Sequence, residues 1–106
     1  MNILIVGCGK VGSQLSNVLS RMGHDVAVID QNPAHFSSLA DDFSGYNVTG
    51  VPIDQDVLRR GGIENCDALA AVTDDDNMNV MVCQLASEIF KVPRVLARVY
   101  DPRRGN

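Results

Sequence analysis

An apolar run that breaks into three closely spaced glycines and resumes as a helix leaves a chain few folds to choose from. Residues 3 to 12 read I-L-I-V-G-C-G-K-V-G. Ile3, Leu4, Ile5 and Val6 suit a strand buried on both faces. Gly7, Gly9 and Gly12 follow in the G-x-G-x-x-G spacing. Gly7 suits a tight turn, Gly9 lets a phosphate approach the backbone, and Gly12 lets a helix pack close to its strand. The N–H groups at a helix start carry partial positive charge, which favours a phosphate. The glycine spacing alone is a weak signal, and its surroundings strengthen it. Val11, Leu15, Val18 and Met22 recur at spacings of four, three and four, one face of a helix. Gly23 suits the C-terminal end of that helix. Val26 to Ile29 form a second apolar strand that ends at Asp30, eighteen residues past Gly12. An acid in that place accepts hydrogen bonds from ribose hydroxyls. The whole segment implies a nucleotide-binding βαβ unit.

The pattern continues through the chain. Asn32 suits a helix N-cap and Pro33 the first helical position. Phe36, Leu39, Ala40 and Phe43 mark the face of that helix, and Gly45 ends it. Residues 46 to 51 predict a third strand. Asp54 opens a short helical turn carrying Val57 and Leu58, closed by Gly61 and Gly62. Ala68 to Val72 predict a fourth strand, running into T-D-D-D-N at 73 to 77. The next helix places Met78, Val82, Leu85, Ala86 and Ile89 on one face, with Pro93 after its end. Val95 to Val99 predict a fifth strand, broken at Asp101-Pro102. Alternating strands and helices imply an α/β, Rossmann-like, doubly wound parallel sheet of order 3-2-1-4-5. Ligand belongs beyond the carboxyl ends of strands 1 and 4, where that order reverses. The sixth strand usual in a full fold of this kind is missing. The expectation is therefore one domain over 1–106, either minimal or, the favoured reading, the N-terminal part of a longer protein.

Composition narrows the function classes. Of 106 residues, 45% are hydrophobic and 21% charged, an ordinary globular balance. No apolar run approaches the ~18 residues of a membrane span. The net charge of −4 argues against nonspecific nucleic-acid binding. Cys8, Cys66 and Cys83 form no C-x-x-C and fit free thiols in a reducing cytosol. Cys8, inside the glycine loop, is either a redox-sensitive thiol at a helix start or a tolerated small residue. No nucleophile–base set is assembled, and neither tyrosine begins a Y-x-x-x-K pattern, so no catalytic residue is expected. His24 and His35 are expected at the surface. Asp74, Asp75 and Asp76 fit helix capping better than a cation site, and no metal is expected. Lys10 can neutralise phosphate charge as a point cation. Arg98, inside an apolar strand, needs a partner, either one of those acids or the nucleotide. Asp30 is followed by Gln31-Asn32, with no cation for a 2′-phosphate, which disfavours NADP.

G-C-G-K-V-G, G-H-D-V-A-V-I-D at 23 to 30, T-D-D-D-N and A-R-V-Y-D-P at 97 to 102 together resemble the TrkA-N domain, also called RCK or KTN, of prokaryotic potassium uptake systems and channels. The resemblance implies a cytoplasmic regulatory domain, not an enzyme, lying at the inner face of the membrane through its partner. It implies binding of NAD or NADH, alternatively ATP, ADP or AMP, and control of a membrane potassium transporter or channel. It also implies a homodimer or larger ring. Carried over by motif, Gly7, Cys8, Gly9, Lys10 and Val11 hold the phosphates and Asp30 the ribose, with Gly12 and Gln31 also counted among the nucleotide-binding residues. Thr73 and Asp74 border the site from strand 4, and Arg98 from strand 5. Asp54 lies where the family has a G-D-A-T-like segment near the adenine, although this chain reads V-P-I-D-Q-D. The alternative is the NAD-binding half of a truncated dehydrogenase.

Overall fold

The computed structural model describes residues 1–99. Five strands form one parallel sheet: β1 Asn2–Val6, β2 Asp25–Asp30, β3 Tyr46–Thr49, β4 Ala68–Ala71 and β5 Arg94–Ala97. The order is β3-β2-β1-β4-β5, as the alternation predicts. The predicted break at Asp101-Pro102 lies outside the described residues.

β1 is the centre of the sheet because it is apolar on both faces. It pairs with β2 through Val6 and Ile29, and with β4 through Val6 and Ala71. Leu4, Val6, Ile29, Leu58, Ile63, Leu69 and Val82 build the core on one face. That face is covered by the helices α2 (Gln55–Arg60) and α3 (Asp76–Gln84). Ile3, Ile5, Val26, Val28, Ala70 and Val72 build the other core, under α1 (Lys10–Arg21). Each of the larger side chains, once removed from water, contributes about 1.5–3 kcal/mol, so a central strand buried on both faces anchors the glycine loop that follows it.

α1 forms where the periodicity predicts, yet only part of its apolar stripe is buried: Leu15, with its neighbour Leu19, packs on the core beneath. Val11, Val18 and Met22 are 39%, 51% and 65% exposed, and Gly12, Ser13, Ser16 and Ser20 face the sheet. Small residues let the helix sit close. The buried hydroxyls avoid a desolvation penalty by finding partners: Ser16 Oγ donates to the Gly12 carbonyl at 2.7 Å, and Ser20 Oγ meets Ser44 Oγ at 3.1 Å.

The helix expected from Pro33 to Gly45 is a correction. Asn32 caps it as predicted, accepting the Ala34 N–H at 3.0 Å, but only a 3₁₀ turn, Pro33–Ser38, forms. Leu39 is already extended. The cause is Asn17 on α1, whose side chain accepts the Ala40 N–H at 2.9 Å and donates to the Ser38 carbonyl at 3.3 Å. Those bonds replace the intrahelical ones. A smaller departure ends α3, where Leu85–Ile89 widen into a π-type turn closed by Phe90 N–H to the Leu85 carbonyl. Met78, Val82, Leu85 and Ala86 pack on the core, and Ile89 swings out to 53% exposure.

Candidate functional site

The strand order reverses between β1 and β4, and the loops that leave their carboxyl ends lie side by side there. Gly7 has φ +104°, a conformation that only glycine adopts without strain, and its N–H donates to the Ile29 carbonyl at 2.7 Å. A side chain at Gly7 would run into the Thr73 backbone nitrogen at 2.8 Å. A side chain at Gly12 would overlap the Gly7 carbonyl oxygen outright. These two glycines are needed by the fold itself, one for the turn and one for the close helix approach.

Gly9 differs. Its φ of −73° and ψ of −159° are extended, and a Cβ there would meet nothing within 4 Å. Packing does not demand glycine at this position. The open space lies over the first turn of α1, which has no side-chain cap and no acidic residue. α2 and α3 are instead capped by Asp54 and Asp75. Lys10, exposed, opens α1 at the rim of this space, and Val11 follows it.

Asp30 is neither a solvated loop acid nor a helix cap. It is 8% exposed, and its carboxylate ties together two backbone segments. Oδ2 accepts the Cys8 N–H at 2.8 Å, and Oδ1 accepts the Asn32 N–H at 2.8 Å. His35 Nδ1 also bonds Oδ2, at 3.0 Å. Burial works to raise the Asp30 pKa. The N–H groups of Asn32 and Cys8, together with His35, outweigh it and hold the carboxyl below its ordinary value. Gln31 is exposed beside it.

Cys8 contributes its backbone, while its side chain is fully buried in the core beneath α1. Burial, then the neighbouring Asp30 carboxylate, push its thiol up to about 11. A neutral, enclosed thiol is not the reactive cysteine considered from its place in the loop.

On the β4 side, Asn79 organises the site wall. It is fully buried on α3. Its Oδ1 accepts the Thr73 N–H at 2.9 Å and the Thr73 hydroxyl at 2.7 Å. Its Nδ2 donates to the Thr73 and Arg98 carbonyls at 3.0 and 2.8 Å. One amide thereby locks the ends of β4 and β5 together. Asp75 caps α3, accepting the Asn77 and Met78 N–H groups at 2.9 and 3.2 Å. Asp74 is exposed on the same loop. Arg98 follows β5 directly, its N–H donating to the Ala71 carbonyl at 2.9 Å. Asp54, at the start of α2, accepts the Asp56 N–H at 2.9 Å.

The structure thus brings Gly7 to Gly12, Asp30, Thr73 and the Arg98 backbone to the carboxyl edge of β1, β2, β4 and β5. Asp54 follows the carboxyl end of β3 on the same rim, where it serves as the N-cap of α2. Sequence patterning missed Asn79 and His35 as members of this cluster. An amide among the apolar residues of α3, six residues past Thr73, is the only signal for the first. A concavity of about 390 Å³ lies at the opposite end of the sheet, lined by Asn2, Asp25, Tyr46 and Gly62 among others. It holds no glycine loop and none of the residues above.

The parallel order, the switch point and the glycine loop define a Rossmann-type α/β domain. The family model of the TrkA-N domain matches residues 3–106. A Trk system potassium uptake protein TrkA from Streptomyces coelicolor is 51% identical over 105 residues, covering 99% of this chain and 47% of its own length. The chain belongs to the TrkA-N domain family, and it spans about half the length of that relative. Among solved structures, the Kef CTD of Shewanella denitrificans in an AMP-bound form superposes with TM-score 0.82 at 21% identity, over 97% of this chain and 62% of that one. The TrkA-N domain of the inner membrane protein ybaL of Escherichia coli superposes with TM-score 0.83 at 19% identity, over 96% and 75%. At such identities these two establish the fold.

Proposed function

We propose that this chain is the nucleotide-sensing domain of a potassium transport regulator, acting from the cytoplasmic side on a membrane transporter or channel and catalysing nothing itself. The observation that carries the nucleotide part is Gly9: a glycine the fold does not require, beside an uncapped helix start. A phosphate laid on that backbone requires both features. The transport part rests on kinship with the TrkA proteins, and 1–106 would be the N-terminal domain of a longer protein of that kind.

In this reading the diphosphate lies on the backbone from Gly7 to Gly12, including Cys8 and Val11, with the Lys10 cation beside it. The ribose hydroxyls go to Asp30 and Gln31. Thr73, Asp74 and Arg98 close the far side. Asp54 is left as a helix cap, and the adenine contact assigned to it by resemblance has only its position on the same rim in support. NAD, NADH, ATP, ADP and AMP all present the phosphate and ribose that these groups would hold. The AMP-bound Kef relative in fold favours an adenine nucleotide. Sensing requires that two ligand states differ in affinity for two conformations of the domain, and a homodimer or ring would sum several such sites onto one channel.

The test is calorimetric titration of the purified protein with NAD, NADH, ATP, ADP and AMP, with and without Mg²⁺, and repetition with Gly9→Ala and Lys10→Ala. Binding of at least one nucleotide, weakened by both substitutions, supports the proposal. No binding by a demonstrably folded protein refutes it.

A further inference from the structure

His35 was expected to be an ordinary surface residue, and its backbone position on the exposed 3₁₀ turn agrees. Its ring does not behave as one. A carboxylate only accepts, so the hydrogen between His35 Nδ1 and Asp30 Oδ2, 3.0 Å apart, belongs to the imidazole. The second ring nitrogen, Nε2, lies 3.4 Å from Asn32 Nδ2. The orientation of the Asn32 amide is fixed, because its Oδ1 caps the turn by accepting the Ala34 N–H. The imidazole is therefore held at both nitrogens, with its side chain still 48% exposed.

The consequence follows from counting acceptor sites on Asp30. Each carboxylate oxygen accepts about two hydrogen bonds. Oδ2 already takes the Cys8 N–H and the His35 N–H, and Oδ1 takes the Asn32 N–H. The two backbone donors are fixed by the glycine loop and by the turn after β2. One place remains on Oδ1, and the place that His35 fills is the one that a side chain can vacate. A ribose presenting a vicinal diol needs two.

Resting on the nucleotide-site reading above, we propose that His35 competes with the ribose for Asp30, so that nucleotide entry displaces the imidazole and releases its grip on the 33–38 turn. His35 then has two effects. It lowers affinity for any nucleotide with a ribose diol. It also links ribose occupancy to the turn that Asn17 holds against α1, through Ser38 and Ala40. A ligand lacking the 2′-hydroxyl has one donor, uses the remaining site on Oδ1, and leaves the imidazole in place.

The experiment is a chemical double-mutant cycle at fixed pH. ADP and 2′-deoxy-ADP are titrated into the full protein and into His35→Ala, with the ADP moiety standing for the part common to NAD, ATP and ADP. His35→Ala is expected to tighten ADP binding about tenfold, the equivalent of one lost competing hydrogen bond to a charged group, and to change 2′-deoxy-ADP binding by less than about twofold. In the wild type, ADP but not 2′-deoxy-ADP should shift the His35 ring resonances and the backbone amides of 34–38. Unchanged or weakened ADP binding in the variant, or an equal change for both ligands, overturns the assignment while leaving the nucleotide site standing. If neither ligand binds either protein, the nucleotide reading itself falls and takes His35 with it.

Discussion

Gly9→Ala should separate ligand binding from folding, because Gly9 alone of the three loop glycines has no packing reason to be glycine. Its backbone is extended, and the new methyl group would meet nothing within 4 Å. Alanine is a poorer N-cap than glycine, by about 0.5–1 kcal/mol. It also restricts the unfolded chain, which returns about 0.4–1 kcal/mol. Folding stability should therefore change by less than about 1 kcal/mol, a melting shift within roughly 5 °C. Binding should suffer far more. The methyl group occupies the space through which a phosphate oxygen reaches the backbone N–H groups, and each charge-assisted hydrogen bond lost is worth about 1.5–3 kcal/mol. The expected loss of affinity is about 10- to 150-fold. Thermal denaturation and calorimetric titration of the two proteins side by side read both quantities. Wild-type affinity in the variant would refute the phosphate assignment. A destabilisation above about 3 kcal/mol would refute the claim that packing leaves this position open.

Four further outcomes follow from the same geometry. Gly12→Ala forces a methyl into the Gly7 carbonyl oxygen, and denaturant unfolding should show a loss of about 3 kcal/mol or more; a loss under 1 kcal/mol would mean that α1 can lift from the sheet. Asn79→Ala strips partners from the Thr73 and Arg98 backbone groups and should cost about 3 kcal/mol, whereas a neutral result would mean that water replaces the amide. The Asp30 carboxyl is held below its ordinary value, so its stabilising contribution is complete above about pH 4 and is lost as pH falls further. Stability measured from pH 7 down to 2 should fall on that limb, and Asp30→Asn should flatten it. Lys91, which ends the π-type turn with φ +55°, pays for a left-handed backbone that glycine adopts freely; Lys91→Gly should raise stability by about 0.5 kcal/mol.

The architecture was legible in the sequence because the signals behind it are local and repeated. Apolar runs of strand length alternate with helix-like segments, and such alternation permits little besides a parallel sheet. Gly7, Gly12 and Asp30 announce themselves by spacing. Other features depend on tertiary partners that no spacing encodes. The apolar stripe of α1 marks a helix correctly but is only partly buried: Leu15 packs on the core, whereas Val11, Val18 and Met22 point outward, because glycine and serine occupy the closest approach of α1 to the sheet. The helix after Asn32 stops early because Asn17, on another element, captures its backbone groups. Asp30 looks like a ligand acid in the sequence; in the fold it also clamps Cys8 to Asn32, so its removal disturbs the loop as well as any ribose contact. Asn79 and His35 carry no motif, and their roles exist only once β4, β5 and the 33–38 turn are assembled.

The proposed nucleotide site requires phosphate to lie on the backbone between Gly7 and Gly12. Titration of the ¹⁵N-labelled protein with ADP, followed amide by amide in ¹H–¹⁵N correlation spectra, tests it most directly. The largest shifts are expected at Gly9, Lys10, Val11 and Gly12, with smaller ones at Gln31 and Thr73. Shifts centred instead on Asn2, Asp25, Tyr46 and Gly62, around the concavity at the opposite end of the sheet, would contradict it.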